Sequence, residues 1–320
     1  MELIRGLHNL RPRHHGCVAT IGNFDGVHLG HQAVIGQLAE KADELCLPTV
    51  VITFEPQPLE YFKPEAAPSR LTRFREKLQA LRRYAVDRVL CLPFNRKLSQ
   101  LSPEAFIQQV LVDGLGVKYL VVGDDFRFGR DRAGTIDHLC AAGREHGFTV
   151  VNMHTFEIDG ERVSSTRVRR ALEAGDMSAA ERLLGRDYRM SGRVAHGNRL
   201  GRQLGFPTAN IHLHRQVTPL QGIFAVEVFG LEREPLQGAA SLGNRPTVDD
   251  DARALLEVFI LDFNQDIYGR HLQVSFRHKL RDEEKYDSLE RLKQQIDTDV
   301  QQTRAYFAAH HKEHTERQNG

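Results

Sequence analysis

The stretch GNFDGVHLGHQ, Gly22 to Gln32, packs three glycines and two histidines into eleven residues. An apolar run, CVATI, stands before it and a helical pattern follows. His28 and His31 are therefore one helical step apart at the mouth of a helix. A helix start offers unpaired N–H groups and the positive end of its dipole, a natural anion site. Each imidazole can add a hydrogen bond to a phosphate oxygen, with charge assistance when protonated. Gly22, Gly26 and Gly30 let the backbone turn and approach a ligand closely. No GK[ST] P-loop is present, so this is a different grip on a phosphate. The alternatives are a zinc pair, for which no third ligand stands nearby in sequence, and a capped turn with surface histidines.

Two further stretches carry candidate chemistry. SSTRVR, Ser164 to Arg169, puts hydroxyls at a helix start with an arginine in reach of the same anion; alone it reads as a plain cap. HGNRLGRQLGFPTANIH has glycines at 197, 201 and 205, as a loop folding against phosphates would. Within it the Thr208 hydroxyl and Asn210 carbonyl are hard oxygen donors suited to Mg²⁺, which keeps several waters and binds substrate phosphates. A glycine-rich hairpin is the alternative. Glu257 sits inside the apolar run LLEVFIL, where alternation puts it on one face with Leu255 and Phe259. An unpaired buried carboxylate is expensive. Glu257 thus needs a site or a partner, unless it faces outward on an edge.

The elements that must position these residues change character along the chain. From Gly16 to about Leu184, the β-branched runs CVATI, TVVITF, RVLCLPF, YLVVG and FTVVNM alternate with helical patterns. That rhythm predicts a parallel sheet covered on both faces, with ligands at the carboxyl ends of strands. From Arg186 to about Lys285 only short β runs remain, broken by Gly, Pro and Asn, which predicts an antiparallel barrel or sandwich. A last helix begins at DSLERLKQQI, with Asp287 and Glu290 at capping-box spacing. Its stripe of Leu289, Leu292, Ile296 and Val300 reads as barrel packing. The domains expected are 1–185 and 186–308, with 309–320 a solvated, disordered tail.

Composition narrows the class. The chain has 320 residues, 41% of them hydrophobic, and 43 Lys and Arg against 42 Asp and Glu. That balance leaves no footprint for nucleic acid or an acidic membrane. Cys17, Cys46, Cys91 and Cys140 are widely spaced and read as small core residues of a reduced compartment. The first residues have no signal-peptide core and no later run could span a bilayer, so the expectation is a cytoplasmic protein. Self-association is not legible.

GNFDGVHLGH resembles the adenylyltransferase signature of the bacterial bifunctional riboflavin kinase/FMN adenylyltransferases, the FAD synthetase family. Its His-x-Gly-His element is shared by a wider nucleotidylyltransferase superfamily. FEP at Phe54–Pro56 follows the second apolar run and GDDFRFGRDRAG the fourth, while SSTRVRRAL resembles the family's Ile-Ser-Ser-Thr-x-Ile-Arg, with Val163 for its isoleucine. The resemblance implies a Rossmann-like nucleotidylyltransferase domain that joins FMN to the α-phosphorus of ATP. Its implied phosphate-binding residues are Gly22, Phe24, Asp25, Gly26, His28, His31, Ser164, Ser165, Thr166 and Arg169, with His28 and His31 catalytic. Flavin contacts are implied at Phe54, Pro56, Asp125, Phe126, Phe128 and Arg132. Gln57 stands where many members have histidine.

GRQLGFPTAN is similar to the family's riboflavin kinase signature. GIFA at Gly222–Ala225 resembles its Gly-Val-Tyr-Ala strand, and LGNRPTV its Gly-x-x-Pro-Thr turn, with Ser241 where Asn is common. Together the matches cover about residues 14–308 in the family's order. They imply an antiparallel barrel with a terminal helix, ATP contacts from Gly197, Gly201, Gly205, Pro207, Thr208 and Asn210, and Mg²⁺ on Thr208 and Asn210. Glu257 takes the place of the catalytic base and Arg281 lies near the flavin. The implied small molecules are riboflavin, FMN and ATP. Loss of the kinase residues would have left a lone adenylyltransferase with a flavin-sensing β half; a flavin carrier would need no triphosphate site.

Overall fold

The computed structural model describes residues 1–153, 155–197, 204–215, 217–245 and 253–318. Its contacts divide the chain into two compact units, one of Met1–Pro68 with Thr72–Ser165, the other of Ser69–Leu71 with Thr166–Gly320.

The first unit is built on six strands: β1 (Glu2–Arg5), β2 (Cys17–Ile21), β3 (Thr49–Glu55), β4 (Arg88–Pro93), β5 (Val117–Gly123) and β6 (Thr149–Met153). They form one parallel sheet in the order β1-β4-β3-β2-β5-β6. Helices α1 (Leu29–Leu45), α2 (Pro58–Phe62), α3 (Phe74–Leu81), α4 (Arg96–Ser99), α5 (Pro103–Phe106) and α6 (Ile136–His146) lie between the strands. A π-helical turn, Ile107–Val112, continues α5. Successive strand residues enter different apolar clusters: Val50 and Ile52 join one, Val51 another. This is why the strands read as unbroken apolar runs, since both faces are covered. A two-stranded ribbon, β7 (Glu157–Ile158) with β8 (Glu161–Arg162), ends the unit.

Strand order reverses between β2 and β5, which pair directly. The GNFDGVHLGH loop leaves β2 and GDDFRFG leaves β5, so both motifs stand at the carboxyl ends flanking the reversal, where doubly wound sheets hold ligands.

In the second unit α7 (Ser165–Glu173), whose first residue belongs to the first unit, and α8 (Met177–Leu184) precede a barrel. Its strands are β9 (Tyr188–Ala195), β10 (Thr208–His212), β11 (Gly222–Phe229), β12 (Leu236–Arg245), β13 (Arg253–Ile260) and β14 (His271–Arg281). The barrel is closed in the order β10-β13-β12-β11-β14-β9, every neighbour antiparallel. Closure removes the sheet edges that a sandwich would leave. Met190, Ile211, Phe224, Val226, Leu256, Val258, Val274 and Phe276 fill the inside. Helix α9 (Leu289–Gln318) packs against β11, β12 and β14.

Three details differ from the sequence reading. The Ser288 hydroxyl, not Asp287, caps α9 by accepting from the Arg291 N–H at 3.2 Å. Leu289 is 54% exposed, while Leu292, Ile296 and Val300 line a cavity against the barrel. The helix is described through Gln318. Cys17 and Cys91 are core residues as expected, but Cys46 is exposed at the left-handed end of α1, with φ +52°.

The cysteines give a first prediction. Burial pushes the Cys17 thiol up to about 12 and raises Cys91 as well. Thiolate is the reactive form. Iodoacetamide at pH 8 should therefore label Cys46 and spare Cys17 and Cys91, as read by peptide mass spectrometry. Labelling of Cys17 at the rate of Cys46 would contradict a closed core.

Candidate functional sites

The loop after β2 is strained. Phe24, Gly26 and Val27 all have positive φ, at +49°, +83° and +44°, and a β-branched residue adopts that region rarely. Burial of the Phe24 and Val27 side chains holds it. So does Asp25, whose Oδ1 accepts from the Thr72 N–H at 2.9 Å and from the Thr72 hydroxyl at 3.1 Å. Of the three glycines only Gly26 needs its backbone freedom. Gly30 is small for space, since a Cβ there would meet the His28 ring at 3.3 Å and Val163 O at 3.2 Å.

His28 caps α1, its Nδ1 accepting from the His31 N–H at 3.4 Å. With Nδ1 accepting, the ring proton sits on Nε2, the nitrogen that can donate to a phosphate. The two imidazoles stack at 3.7 Å between centroids, 18° from parallel, and Phe24 lies 4.8 Å from the His31 ring. The pair is thus held at the positive end of a 17-residue helix. Zinc gains no support: among the described residues no three His, Cys, Asp or Glu are grouped to hold a metal.

The other residues expected here fall into three groups. Ser164 and Ser165 stand at the start of α7, as read, and the Ser165 hydroxyl donates to Asp25 O at 2.9 Å. Thr166 and Arg169 belong to the second unit, where Arg169 Nε donates to Ser69 O at 2.6 Å. The side chain of Asp25 is buried against Thr72, so it shapes the loop rather than facing a ligand.

At the β3 and β5 ends, Phe54 packs edge-on to Phe94 at 5.8 Å and Pro56 is exposed. Gln57 is buried, and its main-chain N–H donates to Glu60 Oε2 at 2.8 Å. Phe126 stacks on Phe128 at 5.6 Å, but Phe128 itself is 7% exposed and joins the core with Phe106. Phe128 therefore supports the loop, and Phe126 and exposed Arg132 present its surface. Asp125 is engaged by Arg162 of β8, which donates to its Oδ1 at 2.9 Å. That hydrogen bond holds the Asp125 carboxyl below its ordinary range and the guanidinium above its own.

In the barrel, β10 and β13 pair so that Asn210 lies opposite Glu257, and Ser241 of β12 flanks Glu257 on the other side. Glu257 shares its face with Leu255 and Phe259, as alternation requires, and all three line a cavity of about 500 Å³. Leu292, Ile296 and Val300 of α9 line it too, so it is bounded by apolar side chains with a few polar groups. A second cavity, of about 280 Å³, is lined by Gly197, Pro207, Thr208 and Asn210 with residues 263–268. Thr208 lines both. A Cβ at Gly197 would overlap the Asn210 amide, so only glycine lets that loop lie so close. Gly205 has φ +92°; Gly201 lies outside the described residues.

Arg281 lines the larger cavity, but its guanidinium is doubly bonded to buried Asp299, at 2.8 and 2.7 Å. That bond keeps it above the usual arginine range. Sequence reasoning missed Asp299, which lies on a polar stretch of α9 with no local signal, and Tyr286, whose ring lies 5.8 Å from the Arg281 guanidinium. It also missed Tyr268, which packs 3.9 Å from the His196 ring beside the smaller cavity.

Comparison with known proteins follows the two units. Residues 10–167 match the FAD synthetase family model and residues 184–307 the riboflavin kinase model. That pairing defines the class, a transferase with one domain for each of two flavin-directed activities. A Pseudomonas fluorescens bifunctional riboflavin kinase/FMN adenylyltransferase is 55% identical over 96% of this chain and 98% of its own length. The protein of the same description from Escherichia coli K12 is 51% identical over the same shares. The chain belongs to the bifunctional riboflavin kinase/FMN adenylyltransferase family. A Streptococcus pneumoniae crystal structure described as a macrolide-efflux protein has TM-score 0.80 and 31% identity, covering 95% of this chain and 99% of that one. It shares the fold; no helix among the described residues here is long and apolar enough to cross a membrane.

Proposed function

We infer that the barrel transfers the γ-phosphoryl group of ATP to riboflavin, giving FMN. The sheet unit then joins FMN to the adenylyl group of a second ATP, giving FAD and pyrophosphate. One observation carries the kinase reading: two cavities meet at Thr208, the larger bearing Glu257 and the smaller lined by Gly197, Pro207 and Asn210. A phosphoryl donor in one and an acceptor in the other would face each other there.

The two chemistries ask different things of the chain. The 5′-hydroxyl of riboflavin is a poor nucleophile until its proton is taken. Glu257, on the wall of the apolar cavity, accepts that proton as the oxygen bonds to the γ-phosphorus and ADP leaves, a contribution of about 10²–10⁴-fold. Arg281, fixed by Asp299, faces the flavin with its orientation already set. In adenylyl transfer the nucleophile is a phosphate oxygen and already an anion, so no base is needed. His28 and His31 donate to charge developing on the transferred group, and the start of α1 adds its dipole. Ser164 and Ser165 border the same loop. Flavin contacts are proposed at Phe54, Pro56, Phe126 and Arg132.

The residues present fit Mg²⁺ in the smaller cavity. The Thr208 hydroxyl and Asn210 amide are neutral oxygen donors two residues apart on one strand, and the close approach of Gly197 packs the loop onto the amide. When bound, Mg²⁺ would neutralise phosphate charge on ATP. Incubation with riboflavin, ATP and Mg²⁺, followed by chromatography, tests the whole reading. FMN and then FAD are expected; FAD from supplied FMN but none from riboflavin would leave only the adenylyl half. We also place the protein in the cytoplasm, where both activities would find ATP.

We propose that kinase activity resides in residues 186–308 and that α7 and α8 belong to their support. Met177, Ala180, Leu183 and Leu184 of α8 are buried, and the helix packs on β9 and β14. Burial of each large side chain is worth about 1.5–3 kcal/mol. Fragments starting at Thr166 and at Arg186 should both make FMN and no FAD, the shorter melting lower by about 10 °C or more. A folded fragment that phosphorylates nothing would remove the kinase from this half.

A further inference from the structure

Three residues of the chain's first quarter, Ser69–Leu71, belong to the second unit, while Pro68 and Thr72 belong to the first. In the second unit the Tyr188 hydroxyl donates to Leu71 O at 2.9 Å. Arg215 donates from Nη1 to Arg70 O at 2.8 Å and to the Tyr188 hydroxyl at 3.2 Å. Tyr188 is 4% exposed and Arg215 6%. Burying a guanidinium is expensive, and here it is directed at the main chain of a short strap and at the Tyr188 hydroxyl of β9.

What the strap holds is one peptide bond away. Thr72, in the first unit, donates from both N–H and hydroxyl to Asp25, and its hydroxyl accepts from the Gly26 N–H at 3.0 Å. Asp25 and Gly26 sit in the strained loop that carries His28. A loop with positive φ at three of its four residues 24–27 keeps that shape only where its surroundings over-determine it.

We propose that Tyr188 and Arg215 are positioning residues for adenylyl transfer. By fixing the carbonyls of residues 70 and 71 they set Thr72, and Thr72 fixes Asp25 and Gly26 in the geometry that presents His28 and His31. This rests on the adenylyl-transfer reading of that loop. The second unit thus contributes to the adenylyl reaction through the Leu71–Thr72 peptide link.

The test uses the full chain and five variants. Tyr188→Phe removes one hydroxyl from a residue that does not line the Glu257 cavity, and Thr72→Val removes the loop contact. Tyr188→Phe should lower kcat for FAD formation from FMN by roughly three- to tenfold, the worth of one hydrogen bond. KM for FMN and riboflavin phosphorylation should stay within about twofold, a split that general destabilisation would not produce. The Tyr188→Phe/Thr72→Val double variant should be no slower than Thr72→Val alone, because one network is already broken. Thr72→Ser should restore most of the rate. Unchanged adenylylation in Tyr188→Phe, an effect confined to KM, an equal fall in kinase rate, or fully additive losses would each overturn the proposal. His31→Ala on the same assay separates the two failures. If it leaves FAD output intact, the loop reading itself is wrong; if it lowers output while Tyr188→Phe does not, only the positioning role is wrong.

Discussion

Glu257→Gln should cut riboflavin phosphorylation by about 10²–10⁴-fold while leaving the conversion of supplied FMN to FAD near the wild-type rate. The glutamine keeps the shape of the side chain and can still hydrogen-bond, but it cannot take the proton of a neutral alcohol. Folding should survive, because a neutral amide on a half-buried strand costs less desolvation than a charge. Its neighbours across the sheet, Asn210 and Ser241, are polar and can bond either form. Riboflavin binding should change little, since the cavity walls from Leu255, Phe259 and α9 are untouched. Both rates are to be measured on one preparation whose melting profile matches the parent. Kinase turnover within a few-fold of the parent would remove Glu257 as the base. A fall in both activities would point to a folding defect instead.

Architecture was largely legible because two periodicities do most of the work in this chain. Five strands of the sheet announce themselves as apolar runs, and their unbroken character already implied cover on both faces. The sixth, β1, offered only Leu3 and Ile4 between charged neighbours, too little for a pattern to show. β10 was hidden inside PTAN, whose polar residues were read for their chemistry while their backbones were pairing with β13 and β9. The choice between barrel and sandwich depends on whether β9 meets β10, a pairing no local pattern encodes.

Side-chain direction was less legible. Asp25 and Phe128 sit in motifs that suggest ligand contact, yet one is turned to Thr72 and the other to the core. A motif reports which residue types a loop needs and is silent on which of them build the loop. The Arg281–Asp299 pair and the strap at Ser69–Leu71 join residues 18 and more than 100 positions apart. Such contacts follow from the tertiary fold, and single-sequence reading has no access to them.

Replacing His28 and His31 together with alanine should stop FAD formation at FMN. Each ring is held on the first turn of α1 by the other, through the stack and the His31 N–H to His28 Nδ1 bond. Removing one therefore loosens its partner, and the double loss should fall well short of the product of the single losses. One donor aimed at developing phosphate charge is commonly worth about 10²–10³-fold, so each single variant should already lose that much in turnover. The helix has its own N–H groups and dipole at this end, which should keep ATP binding measurable when the rings are gone. The expected signature is thus a fall in kcat larger than the rise in KM for ATP. Kinase output from the barrel should continue, so the double variant given riboflavin, ATP and Mg²⁺ should accumulate FMN, read directly by chromatography. FAD at the parent's level would overturn the phosphate-cradle reading of this loop. A defect only in ATP affinity would keep the cradle but deny the imidazoles any part in the transition state.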